Sequence, residues 1–179
     1  MRAPPIFGQA AQTDTSVLEL SWDLFGELCR ALAVRVANSD FEPDLVVGIA
    51  KAGVIPGAVI ASMLQCDFFS MKISRREGGA VVSDRPKILS EAPRPAAERR
   101  VLVVDEISTS GETLRLALNT LRNVRPLEIR TAASFVRVNG YKPDFFAVET
   151  DSTIIFPWDR QIVDEDGELV ANPQYEGLI

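Results

Sequence analysis

The chain has 179 residues, 46% hydrophobic and 25% charged, the balance of one ordinary globular domain rather than of a disordered chain. With 19 Lys and Arg against 25 Asp and Glu the net charge is −6, which argues against a general nucleic-acid backbone binder. Histidine is absent, which excludes Ser-His-Asp hydrolases, Cys-His proteases, HExxH zinc enzymes and any histidine general base.

The opening MRAPPIFGQAAQTDTS is polar and proline-containing, without a signal-peptide core, and is expected to be a loose arm over 1–16. Ser21 then caps a helix running to about Asn38, because Trp22, Phe25, Leu28, Cys29, Leu32 and Val36 recur at three-and-four spacing. DLVVGIA (44–50), bounded by Pro43 and Gly53, predicts a buried strand. A loop with Gly53, Pro56 and Gly57 leads into AVIASML, a short buried helix with Pro56 in its first turn. CDFFSMKIS (66–74) predicts a second strand. Residues 75–99 mix charge, Gly and Pro, and a loop of that length in a compact domain is usually functional or disordered.

VLVVDE (101–106) is the cleanest strand of the chain. STSGET follows it, and Leu114, Ala117, Leu118 and Leu121 mark the next helix. EIRTAASFV (128–136) and FFAVE (145–149) predict further strands, and the tail carries TIIFPWD before turning polar and acidic. Cys29 and Cys66 sit in apolar sequence and form no metal pattern, so both are expected to be buried, inert thiols in a reducing cytoplasm. No apolar stretch approaches the roughly 20 residues of a membrane span, so a soluble cytoplasmic protein is expected. No repeat or linker is visible, and residues 1–179 are read as a single domain.

Alternating helices and fully apolar strands predict an α/β fold, a mainly parallel twisted sheet flanked by helices. Ligands bind such sheets beyond the carboxyl ends of the strands. Two loops leave strands there, IAKAGVIPG and DEISTSGET. In the second, a buried strand delivers Asp105 and Glu106 to the sheet edge. Ser108, Thr109, Ser110 and Thr113 offer hydroxyls, Gly111 allows close backbone approach, and the helix N-terminus adds partial positive charge. Together these make a phosphate cradle without lysine. Adjacent carboxylates would repel the phosphate, so they are expected to hold a sugar diol instead.

VLVVDEISTSGET resembles the signature of the type I phosphoribosyltransferases throughout: an aliphatic strand, two acids, two variable residues, small or hydroxyl residues, Gly, any residue, Thr. The resemblance implies binding of phosphoribosyl pyrophosphate, with Asp105 and Glu106 on the ribose hydroxyls and Ser108, Thr109, Ser110, Gly111, Glu112 and Thr113 around the 5′-phosphate. VVGIAKAGVIPGAVIA is similar to the family's pyrophosphate loop, which implies that Lys51 neutralises the leaving pyrophosphate while the Ala50, Ala52 and Gly53 amides bond its oxygens. It further implies a mobile flap over 75–94, a hood over 137–165, and transfer of ribose 5-phosphate to a nucleobase. Mg²⁺ would be held by Asp105 and Glu106, with Asp159 adding a ligand to a second ion. A homodimer or higher homo-oligomer is expected, with no nucleic-acid or membrane partner.

DSTIIFPWD (151–159) is similar to the hood of the xanthine–guanine branch. Three positions depart from the 6-oxopurine pattern. Thr109 stands where an aspartate usually faces N7 of the base, Arg137 stands for the lysine that bonds O6, and Thr153 stands for the stacking aromatic. Ile154 and Phe156 then remain to shape the base pocket, and Trp158 is read as a packing residue. A xanthine-like base, entering partly as an anion beside Arg137, is therefore the expected acceptor. A non-catalytic sensor of nucleotides or of phosphoribosyl pyrophosphate, and an enzyme acting on a non-purine heterocycle, are the alternative readings.

Overall fold

Ser21 opens the first helix as the sequence predicts: its Oγ accepts from the Leu24 amide at 3.1 Å, and helix α1 runs over Trp22–Ala37. The computed structural model describes residues 16–77, 80–81 and 83–178, so the expected arm up to residue 15 lies outside them. In chain order the remaining elements are β1 (Val17–Glu19) ahead of α1, then β2 (Leu45–Ala50), α2 (Val54–Leu64), β3 (Asp67–Ser74), β4 (Arg76–Glu77), β5 (Ala80–Val81) and β6 (Lys87–Ile88). These are followed by β7 (Arg100–Ser108), α3 (Glu112–Arg122), β8 (Glu128–Val136), β9 (Phe145–Glu149), β10 (Thr153–Ile155), β11 (Gln161–Val163) and β12 (Leu169–Ala171). None of the described helices is long and apolar enough to cross a membrane.

Ser21–Thr150 forms one compact unit. Its sheet has the order β6-β3-β2-β7-β8-β9, with β3, β2, β7, β8 and β9 parallel and β6 antiparallel to β3 at the edge. The fold is therefore the expected mainly parallel α/β sheet. β7 lies inside it, and Val101, Leu102, Val103 and Val104 are fully buried, each contributing about 1.5–3 kcal/mol relative to exposure. Val101 and Val103 pack with Val47, Ile49, Leu114, Ala117 and Leu121, so α3 covers that face. α2 covers the other face through glycines: a side chain on Gly48 would stand 2.9 Å from the Val54 Cα, and Gly57 lies against Gly48. α2 starts four residues earlier than the AVIASML reading, because Pro56 is compatible with a first turn that already begins at Val54.

At the far end of the sheet from the candidate loops, Asp44 accepts hydrogen bonds from the Arg100 amide, Nε and Nη2 at 2.9, 3.1 and 2.9 Å. These bonds to Arg100 hold the Asp44 carboxyl down at about 2. Cys29 is buried, and burial pushes its thiol up to about 11; Cys66 is only half-buried, short of the expected full burial. Trp22, read as part of the apolar face of α1, is 58% exposed, since the buried stripe begins at Phe25. The segment expected as a loop over 75–99 contains the β4–β5 hairpin and β6, and its end is anchored: Ala92 and Ala96 are buried in the α3-side core.

The second unit comprises the described parts of Met1–Leu20 and Asp151–Ile179. β1 pairs in parallel with β10, and β11 pairs antiparallel with β12. Sequence reading misses these elements because three-residue strands are too short to display a period.

Candidate active site

β7 ends in the acid pair. Asp105 is 7% exposed, and its Oδ1 accepts from the Glu106 amide at 3.0 Å. Burial pushes its carboxyl well above the usual carboxylate range, and the neighbouring Glu106 charge and a hydrogen bond between the two carboxyl groups add to that. Carboxylate oxygens in this position can accept from the two hydroxyls of a diol.

Beyond Ser108 the chain turns through Thr109, Ser110 and Gly111 into α3. Gly111 is the N-cap residue at φ +75°, in the left-handed region, and Ser110 Oγ accepts from the Glu112 amide at 3.4 Å. The first amides of α3 and the helix dipole thus face the loop. Glu112 pairs with Arg75 at 2.7 Å, joining this helix start to the residue that follows β3.

The β2 loop lies beside this one because β2 and β7 are neighbours, with Gly48 level with Val104. Lys51 is exposed, one residue past the end of β2, and the Ala50–Lys51 peptide is cis. Ala50 and Ala52 are half-buried and Gly53 is buried. Gly53 wedges the two loops together. A Cβ there would stand 2.7 Å from the Val104 carbonyl oxygen, 2.8 Å from that of Ile49 and 2.9 Å from the Asp105 Cα. Gly53, expected to offer its amide to a ligand, also packs the β2 loop against the end of β7.

Two other candidates make contacts inside the protein. Ser108 is 2% exposed, and its hydroxyl donates to the Tyr141 carbonyl at 2.9 Å, so its proton is committed inside the protein rather than to a phosphate. Gly111 was expected to make room for ligand, but a Cβ there would lie 2.3 Å from Cγ of the Tyr141 ring. Tyr141 and Arg115 are residues the sequence reading missed. The Arg115 guanidinium lies 4.6 Å from the centre of the Tyr141 ring, and its Nη1 donates to the Ser110 carbonyl at 3.0 Å. Asn139–Gly140, a turn dipeptide separated from β8 only by Arg137 and Val138, was the available signal.

Arg137 follows the last residue of β8, and its amide donates to the Ser108 carbonyl at 3.2 Å, so its backbone is bonded to the end of β7. Thr109 is exposed and Thr113 half-buried. Ile154 and Asp159 belong to the second unit. There Ile154 is buried on β10, the Asp159 amide donates to the Phe156 carbonyl at 2.9 Å, and Asn172 Nδ2 donates to the Asp159 carbonyl at 2.7 Å. Phe156 and Trp158 stack at 4.6 Å, in keeping with Trp158 as a packing residue.

The donor set suits Mg²⁺ on chemical grounds. Among the described residues no cluster of three or more acid, Cys or His side chains forms a cage, and this ion is usually held by one or two carboxylates plus substrate phosphates. Asp105 and Glu106 supply that number.

A family model described as a phosphoribosyl transferase domain matches residues 20–166. The chain is 30% identical over 105 residues to an adenine phosphoribosyltransferase from Acidiphilium cryptum, a match that covers 54% of this chain and 60% of that protein. It is 25% identical to a xanthine-guanine phosphoribosyltransferase from Gluconobacter oxydans over 78% of this chain and 83% of the relative. A crystal structure of a purine phosphoribosyltransferase from Pyrococcus horikoshii superimposes with a TM-score of 0.71 at 23% identity, covering 84% of this chain and 99% of that one, a likeness of fold. With the acid-pair loop, the glycine-wedged β2 loop and the parallel sheet that carries both, the match over 20–166 makes this chain a member of the phosphoribosyl transferase domain family.

Proposed function

We propose that the protein transfers ribose 5-phosphate from phosphoribosyl pyrophosphate to a ring nitrogen of a purine base and releases pyrophosphate. The observation that carries this reading is the β7 loop, where buried Asp105 and half-buried Glu106 are followed within a few residues by the amide-rich start of α3. The purine names of the adenine and xanthine-guanine relatives support the acceptor class. Asp105 and Glu106 orient the ribose hydroxyls, and the amides and hydroxyls of Thr109–Thr113 hold the 5′-phosphate. Asp105 and Glu106 would also hold Mg²⁺ together with diphosphate oxygens, and the ion would supply charge neutralisation at the leaving group. The bond from C1 of the ribose to the pyrophosphate oxygen breaks with its electron pair on pyrophosphate. Lys51, on the adjacent β2 loop, stabilises that charge. The new bond forms between C1 and the base nitrogen.

The base nitrogen must shed its proton, and Thr109 has no carboxylate to receive it. A base that enters as an anion needs no acceptor, and Arg137 carries a permanent positive charge for it. Xanthine is therefore the proposed acceptor ahead of hypoxanthine. The test combines phosphoribosyl pyrophosphate, Mg²⁺ and a panel of bases with a readout of released pyrophosphate. Release that depends on a purine, with xanthine fastest, is the expected outcome. Donor binding without release for any base overturns the catalytic reading in favour of a sensor. Faster turnover of hypoxanthine overturns the xanthine preference alone.

A further inference from the structure

Ser108, Thr109 and Gly111 meet the backbone or the ring of Tyr141, a residue that sequence motifs do not mark, and Ser110 is held by the Arg115 that lies on that ring. The Tyr141 amide donates to the Thr109 carbonyl at 2.9 Å, and the Tyr141 carbonyl accepts the Ser108 hydroxyl at 2.9 Å. Its ring occupies the space beside Gly111 that a Cβ would otherwise fill. Arg115 lies on that ring and holds the Ser110 carbonyl. The same turn reaches the base side: the Gly140 amide donates to the Arg137 carbonyl at 3.0 Å, Lys142 Nζ donates to that carbonyl at 2.8 Å, and the Arg137 amide donates to Ser108. Gly140 is pressed against this arrangement, since a Cβ there would stand 2.5 Å from the Thr109 carbonyl oxygen.

We propose that Tyr141 is a positioning residue that holds the phosphate-binding turn in its binding shape and couples it to Arg137, so that donor phosphate and base bind cooperatively. The inference rests on the phosphoribosyltransferase reading above. Amides that already point at the phosphate need no ordering when it arrives, so an intact buttress raises affinity. Because Arg137 is bonded to the same turn, a ligand that stiffens one side lowers the ordering cost on the other, and the coupling is reciprocal.

The experiment uses ribose 5-phosphate, which lacks a leaving group and cannot react. Its dissociation constant is measured calorimetrically in the full chain, with and without a saturating amount of the base that gives the fastest pyrophosphate release. In the wild type the base is expected to tighten ribose 5-phosphate several-fold. Tyr141→Ala is expected to weaken it about tenfold and to bring the ratio of the two constants to one, the scale of an ordinary coupling free energy. Tyr141→Phe, which keeps the ring and both backbone bonds, should restore affinity and ratio, a recovery that general destabilisation would not give. Should Tyr141→Ala fail to fold, Arg115→Met removes the stacked cation and the bond to Ser110 from an exposed position, and the ratio should fall there too. A wild type that binds neither ribose 5-phosphate nor phosphoribosyl pyrophosphate overturns the functional reading itself. A wild type that binds ribose 5-phosphate but shows no dependence on base, or a Tyr141→Ala protein with unchanged affinity and ratio, overturns the assignment of Tyr141 alone.

Discussion

Replacing Gly111 by alanine tests whether the turn between β7 and α3 is shaped by packing. The residue sits at φ +75°, and left-handed backbone costs a residue with a side chain about 1–2 kcal/mol. The new methyl would also stand 2.3 Å from Cγ and 2.5 Å from Cβ of Tyr141, far inside the ordinary carbon contact of about 3.5–4.0 Å. The ring must therefore move, and Arg115 lies on it. Overpacking of this kind costs about 1–3 kcal/mol. The two costs together come to about 2–5 kcal/mol, which for a chain of this size lowers the melting temperature by about 4–20 °C. Thermal melting of Gly111→Ala, alone and combined with Tyr141→Ala, isolates the share that belongs to the ring. In the Tyr141→Ala background the ring contacts are gone while the Cβ of residue 141 still stands 2.5 Å from the new methyl, so the loss should shrink without falling to the backbone cost of about 1–2 kcal/mol alone. A Gly111→Ala protein that melts with the wild type, or an equal loss with and without the Tyr141 ring, refutes the packing argument.

Asp105→Asn should abolish pyrophosphate release, alone or with Glu106→Gln, yet gain stability relative to the wild type as pH rises above the unfolded value of 3.8. The folded carboxyl is raised by burial, so its stabilising contribution is fully present below 3.8 and is lost as pH rises through the folded value. Melting curves taken from below pH 3.8 upward in which wild type and variant stay parallel would refute the raised carboxyl. Asp44 has the opposite sign: its folded value of about 2 lies below the unfolded 3.8, so its contribution is present above that range and disappears as pH falls through it. Asp44→Asn should therefore flatten the acid limb of a stability profile measured between pH 5 and 2, and an unaltered limb would refute the pairing with Arg100 as its cause. Gly53→Ala meets only backbone atoms, which cannot give way as a side chain end could, and should cost more than about 3 kcal/mol. A Gly53→Ala protein with wild-type melting and pyrophosphate release would mean that the wedge does not set the spacing of the two loops.

The strands of the sheet were legible because each is a local run: EIRTAASFV and FFAVE have the bounds of β8 and β9, and VLVVDE lies within β7. The acid-pair loop was legible for the same reason, since strand, acids, small residues and helix start follow one another without interruption. Pairing of β1 with β10 and of Ile73 with Ile88 in β6 joins segments that are short and, for β1, distant in the chain, so no period in the sequence announces them. The roles inside the site needed the fold for a physical reason of the same kind. Gly53 and Asp105 are 52 positions apart and meet only because β2 and β7 are neighbours. Ser108 spends its hydroxyl proton on a carbonyl 33 positions away, and Gly111 is required by a ring 30 positions away. The sequence by itself marked the acid-pair loop as the candidate site; burial of Asp105 beside Glu106 and the Tyr141 turn packed on Gly111 decided how those residues are held, because desolvation and steric contact exist only once distant strands are side by side.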